Sequence, residues 1–80
     1  MRKNTHTDFI ILFGNNLKKI RKNRSLTQAQ LAIDCGFDVS VISRIERGIV
    51  NTSLSNLHTI AMALSIQVSE LFNFSTTSDS

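Results

Sequence analysis

The sequence predicts one small all-α domain of five helices, and three observations favour this fold class. Apolar residues recur at spacings of three and four, which is the periodicity of helices that are buried on one side. Three Gly and no Pro suit helices joined by short turns. Eighty residues with 41% hydrophobic content can bury a single modest core. We expect the domain at residues 8–74, between a flexible segment at 1–7 and a disordered tail at 75–80.

The first helix is predicted at residues 8–24, because an apolar stripe runs along it at helical spacing. The stripe consists of Phe9, Phe13, Leu17 and Ile20. Residues 10–12 are also apolar, which is more than one stripe requires. We therefore expect another helix or a second subunit to cover them.

Residues 28–47 are predicted to form two short helices joined by a tight turn. Thr27 can cap the first of them with its hydroxyl, and Gly36 permits the left-handed backbone that ends it. Asp38 is a second N-cap two residues later, so the turn is short and the helices cross steeply. This arrangement is a helix-turn-helix. Its second helix, predicted at 39–47, is the one offered to the major groove of DNA.

Two further helices are predicted after a loop that begins at Gly48. Ser53 resembles the cap of a fourth helix. The apolar positions of that helix are Leu57, Ile60, Ala61 and Leu64. Ser69 can cap a last short helix at 70–73.

The distribution of charge points to a polyanionic partner. Seven of the nine Lys and Arg residues lie in the first 24 positions, Arg44 and Arg47 lie on the predicted third helix, and residues 48–80 contain none. One end of the domain therefore suits DNA, and the other suits an uncharged contact.

Other functional classes find little support. No apolar run is long enough to span a membrane, residues 1–7 do not resemble a signal peptide, and Cys35 has no second cysteine to pair with, so we expect a cytoplasmic protein. His6 and His58 have no nucleophile or carboxylate at a recognisable spacing, and we expect neither an enzyme nor a metal or cofactor site. A protein-binding module without DNA contact remains an alternative, which salt dependence would distinguish.

The segment from Thr27 to Gly48 carries a recognisable pattern, Thr-Gln-x-x-Leu-Ala-x-x-x-Gly-x-x-x-Ser-x-Ile-Ser-Arg-Ile-Glu-Arg-Gly. It resembles the Cro/C1-type (XRE) helix-turn-helix family of bacterial and phage transcription regulators, over about residues 17–72. The resemblance implies a lambda-repressor-like domain with its helix-turn-helix at helices 2 and 3. It also implies sequence-specific binding of double-stranded DNA. A stand-alone domain of this size most resembles the controller proteins of restriction–modification systems, with a phage-type repressor or an antitoxin with a protein partner as alternatives.

Geometry and the resemblance together predict the DNA contacts. The base-reading residues are Val39, Ser40, Ser43 and Arg44. Arg44 is the strongest of these, because its guanidinium matches O6 and N7 of guanine. Gln28 begins the second helix, where exposed amides favour an anion, and the family uses the matching Gln for a phosphate. The predicted phosphate contacts are Gln28, Arg47, Asn51, Thr52, Lys18 and Lys22.

The resemblance also implies a structural salt bridge between Arg21 and Glu46, which would tie the first helix to the end of the third. A single DNA-binding module buries little surface, so we expect a homodimer that reads a palindromic operator. Its interface is predicted at Leu64, Ile66 and Phe74. Such a regulator acts as repressor or activator according to operator position, and activation would add RNA polymerase as a partner.

Overall fold

Helices account for the whole regular structure of residues 6–75, which the computed structural model describes. Four α-helices are followed by one short 3₁₀ helix. They are α1 (His6–Asn23), α2 (Gln28–Cys35), α3 (Val39–Glu46), α4 (Leu54–Leu64) and the 3₁₀ helix (Val68–Phe72). The predicted all-α class is confirmed. The helix α1 begins two residues before the predicted start, and the rest of the expected N-terminal segment and most of the expected tail lie outside the described residues.

The expected fifth α-helix is the one element that differs in kind. The chain forms a 3₁₀ helix there, with Gln67 at the N-cap position in place of Ser69. The backbone N–H of Gln67 donates to Oε2 of Glu70 at 3.3 Å, and the N–H of Glu70 donates to the carbonyl of Gln67 at 3.0 Å. These bonds join residues three apart, so they close a tighter turn than an α-helix and start it earlier.

Local signals at both ends fix α2. The hydroxyl of Thr27 accepts from the N–H of Gln30 at 3.0 Å, and Oε1 of Gln30 accepts from the N–H of Thr27 at 2.8 Å. This reciprocal pair is a capping box, which satisfies two backbone donors that a helix start leaves free. Gly36 ends the helix with φ of 75°, and α3 begins three residues later at Val39.

All five elements contribute to one core. Its fully buried large side chains are Leu17, Leu31, Ile42, Ile45, Ile60, Leu64 and Leu71. Phe9, which was expected to face inward, is 40% exposed. It lies at the start of α1 and packs instead against the rings of Phe72 and Phe74, with centroids 6.2 and 5.5 Å away.

A close backbone approach sets the position of α3 against α1. A Cβ added at Gly14 would overlap the carbonyl oxygen of Ile45 and would lie 2.8 Å from that of Glu46. Only a residue without a side chain allows α1 to pack so tightly on the last turn of α3. After that turn, Gly48 has φ of 72°, and a Cβ added there would lie 2.8 Å from the Cα of Ile11 on α1.

Candidate nucleic-acid interface

The helix α3 is amphipathic in the sense that a groove-reading helix requires. Its inner side chains Ile42 and Ile45 are buried at 0% and 1% exposure and hold the helix on the core. The predicted base-reading set lies on the opposite face, where Val39 and Arg44 are exposed and the two serines are half-buried. The set consists of Val39, Ser40, Ser43 and Arg44. The structure therefore brings these four side chains onto one accessible surface.

The C-terminal end of α3 is held by a buried ion pair. Nε of Arg21 donates to Oε2 of Glu46 at 2.6 Å, and Nη2 donates to Oε1 at 3.0 Å. The two residues are only 6% and 5% exposed. The side-chain hydrogen bond to Glu46 raises the pKa of Arg21 against the opposing effect of burial, so the guanidinium stays charged. This bidentate geometry fixes both distance and angle between α1 and α3.

The same ion pair reaches two further segments. Nη1 of Arg21 donates to the carbonyl of Leu26 at 2.7 Å, which anchors the loop between α1 and α2. Nε2 of Gln28 donates to Oε1 of Glu46 at 3.0 Å, which joins the start of α2 to the end of α3. One carboxylate thus accepts three N–H groups from two elements that flank the reading helix. We refer to Arg21, Gln28, Leu26 and Glu46 as the anchor network.

The position of Gln28 changes how its predicted phosphate contact must be understood. Its side chain is half-buried, and one N–H of its amide is committed to Glu46. An amide carries two N–H donors, so the second can still serve an anion. The residue therefore belongs both to the anchor network and to the predicted DNA face.

Asp38 is a functional candidate that the sequence analysis treated only as a cap. It occupies the N-cap position of α3, but its side chain accepts no hydrogen bond from the helix backbone. Its Oδ2 accepts instead from the hydroxyl of Ser40 at 2.6 Å. The spacing of the two residues was the available signal, because Asp and Ser two positions apart often bond each other locally at the start of a helix.

The other predicted phosphate contacts differ in accessibility. Lys18, Lys22, Arg47 and Asn51 are exposed. Thr52 is half-buried, and its hydroxyl accepts from Nδ2 of Asn56 at 3.1 Å, so it is partly engaged inside the domain.

The predicted dimer interface is wrong at Leu64. That side chain is 1% exposed because it lies in the core, where α2 and the 3₁₀ helix of the same chain pack against α4. Ile66 and Phe74 are half-buried and keep some accessible surface. Beside them, Phe72 is 38% and Val68 is 36% exposed. Periodicity along the chain did not show these last two as surface residues, since they lie on the 3₁₀ helix.

Cys35 and the possible metal ligands among residues 6–75 do not form a second site. Burial raises the pKa of the Cys35 thiol, and the charge of Asp34 raises it further, so the thiol stays protonated and weakly reactive. Within residues 6–75, no group of three or more His, Cys, Asp or Glu side chains is placed to hold a metal ion. None of the helices in this part of the chain has both the length and the apolarity to cross a membrane.

The chain is similar to known proteins in sequence and in fold. The chain is 40% identical over 67 residues to the control protein C.BamHI of Bacillus amyloliquefaciens, covering 82% of this chain and 83% of that one. The restriction–modification controller protein C.AhdI of Aeromonas hydrophila superposes with a TM-score of 0.78 at 40% identity, covering 79% of this chain and 96% of that one.

The regulator SinR, solved in complex with DNA, superposes with a TM-score of 0.72 at 29% identity, covering 76% of this chain and 98% of that one. The family model for the helix-turn-helix (HTH_3) matches residues 17–71. This match covers more than half of the chain, so the protein belongs to the HTH_3 helix-turn-helix family, as a DNA-binding transcription regulator and not an enzyme.

Proposed function

We propose that this protein is the controller protein of a restriction–modification system and acts in the cytoplasm as a homodimer on a palindromic operator. The observation that carries the proposal is the accessible face of α3, held at a fixed angle by the buried Arg21–Glu46 pair. The controller role is supported by the likeness to C.BamHI and C.AhdI, over most of their length as well as most of this chain.

In this proposal, Arg44 reads a guanine through O6 and N7, and Val39 packs against a thymine methyl group. Ser40 and Ser43 contribute single hydrogen bonds. The phosphate contacts come from the start of α2 at Gln28, where helix amides add positive potential, and from the residues that follow or flank α3. These are Arg47, Asn51, Thr52, Lys18 and Lys22.

The proposed homodimer is supported by the composition of the C-terminal part of the chain. Residues 48–80 contain no Lys or Arg, and the 3₁₀ helix exposes Val68 and Phe72 next to the half-buried Ile66 and Phe74. A two-fold contact through this apolar edge would cover the apolar side chains of both copies without bringing cationic surfaces together. Two reading helices one turn of DNA apart, about 34 Å, then face successive major grooves.

Two arginine variants test the DNA-binding part of the proposal. Duplexes are first selected from random DNA, and affinities for the selected site and for unrelated DNA are then measured at several salt concentrations. Arg44→Ala should weaken binding to the selected site by about 5- to 150-fold, corresponding to about 1–3 kcal/mol, with little effect on unrelated DNA. Arg47→Ala should weaken both and reduce the salt slope by about one. Equal behaviour of the two variants would contradict the assigned roles.

The dimer is tested by sedimentation with a matched pair of variants. Val68→Lys places like charges opposite each other in a two-fold contact and should shift the protein to monomer. Ile33→Lys is the control, because Ile33 is 77% exposed and lies on α2, outside the segment 66–74 that carries the apolar edge. A wild-type protein that is only monomeric at tens of micromolar would count against the dimer. A loss of dimer that is equal in both variants would count against this interface.

If the regulator also activates transcription, a surface must contact RNA polymerase. Measuring transcription from a promoter with the selected operator placed upstream or across the start site decides between activation and repression. Activation from the upstream position would add polymerase to the partners, and repression alone would leave DNA and a second copy.

A further inference from the structure

We propose that Asp38 is a specificity-determining residue, which together with Ser40 selects the amino group of a cytosine in the major groove. This inference rests on the proposed function, since it requires that α3 enters the groove. It assigns a base-reading role to a residue just outside the helix.

The hydrogen bond between the side chains of Asp38 and Ser40 determines which hydrogen bonds the pair can still make. Ser40 has one hydroxyl proton, and it points to Oδ2 of Asp38 at 2.6 Å. The lone pairs of the Ser40 oxygen therefore remain as acceptors. An ionised carboxylate is an acceptor only, and no backbone amide of α3 takes its oxygens. Together, the two side chains form a surface that accepts hydrogen bonds and donates none.

Few groups in the major groove match an acceptor-only surface. Guanine presents two acceptors, thymine presents an acceptor and a methyl group, and adenine presents N7 beside its amino group. Cytosine presents the N4 donor with no acceptor of its own beside it, and it is the base that acidic side chains contact. Phosphate oxygens would be repelled by the carboxylate. The start of α3 is thereby directed toward a base edge and away from the DNA backbone.

Arg44 places hydrogen-bond donors at the other end of the same helix face. It lies four residues after Ser40, one helical turn along, and it carries only donors. The face therefore accepts at its N-terminal end and donates one turn later. We expect each half-site to contain a cytosine under Asp38 and a guanine under Arg44.

The test compares Asp38→Asn with Asp34→Asn. Asn is isosteric with Asp and is an equally good N-cap, so α3 should form, but its amide adds two donors. Asp34 is exposed on α2, so its replacement removes the same charge away from the reading face. Sites are selected from random DNA with wild type and both variants. The wild type should prefer cytosine to guanine at one column by about tenfold or more, the value of a hydrogen bond to a charged group. Asp38→Asn should lose this preference, and Asp34→Asn should keep it.

A second measurement uses only the wild-type protein, so it does not depend on the folding of a variant. The cytosine at that column is replaced by N4-methylcytosine, whose methyl group occupies the major-groove side of the amino group. Affinity should fall about tenfold. A selected motif that is unaffected by both changes would overturn the role of Asp38. Failure of the wild type to enrich any motif would instead overturn the proposed function.

Discussion

The substitution Glu46→Gln tests how far the anchor network stabilises the domain. The carboxylate of Glu46 accepts three N–H groups, two from Arg21 and one from Gln28. A glutamine keeps one acceptor oxygen but places an NH₂ group where the other oxygen was. The charged guanidinium of Arg21, whose side chain is 7% exposed, would then be buried without a counter-charge.

The expected loss is large for a domain of this size. Removing one partner of a buried ion pair costs about 3–5 kcal/mol, and we expect the lower end because glutamine keeps one hydrogen bond. At about 0.05–0.15 kcal/mol per residue, 80 residues have a total stability of about 4–12 kcal/mol. A loss of 3 kcal/mol lowers the Tm of such a small domain by about 12–24 °C.

The assay is urea and thermal unfolding followed by circular dichroism, with a double variant as control. Arg21→Met with Glu46→Leu removes both charges and fills the space with apolar atoms. It should be much more stable than Glu46→Gln, since replacing a whole buried pair is often neutral. Glu46→Lys should be the least stable, because it places a second cation beside Arg21. A loss below about 0.5 kcal/mol for Glu46→Gln would refute the reasoning, and so would a double variant whose loss equals the summed losses of Arg21→Met and Glu46→Leu made singly.

Two further predictions concern packing and pH. Gly14→Ala should destabilise by about 1–3 kcal/mol, because its Cβ meets the backbone carbonyls of α3. Gly36→Ala, with nothing within 4 Å of the new Cβ, should lose only about 1 kcal/mol from its positive φ. The raised pKa of Cys35 means that the folded state keeps a proton that the unfolded chain releases. Stability should therefore fall as the pH rises above the ordinary thiol pKa, and Cys35→Ala should reduce this fall in urea titrations.

The elements that were predicted accurately carry their own start and stop signals. The bounds of α2 agree with the prediction because Thr27 and Gly36 act within one turn of the backbone. The last helix did not carry such a signal. Ser69 is a good cap by propensity, but the bonds between Gln67 and Glu70 decided where the 3₁₀ helix begins. Here the side chain of Glu70 satisfies the N–H of Gln67, and the helix begins before the position that propensity favours.

Helical spacing predicts which face of a helix is buried, but it does not predict which element covers that face. The spacing in α4 correctly places Leu64 on the inner face, but spacing does not show whether this chain or a second copy covers it. That depends on how the 3₁₀ helix folds back with Leu71. Phe9 follows the stripe of α1 and yet lies at the edge of the core, where Phe72 and Phe74 meet it. The position of Phe9 depends on contacts between residues more than 60 positions apart, and the burial of Leu64 depends on how a separate helix folds back, neither of which local pattern records.

The buried ion pair between Arg21 and Glu46 positions α3 in addition to stabilising the fold. Apolar side chains could replace the pair without loss of stability, but they would not fix the angle of α3 or hold the amide of Gln28. The double variant should then unfold near the wild-type midpoint and still bind the selected site more weakly. Because the reading face would be less well oriented, the loss should be larger for the selected site than for unrelated DNA. An unchanged ratio between the two affinities would show that the anchor network serves stability alone.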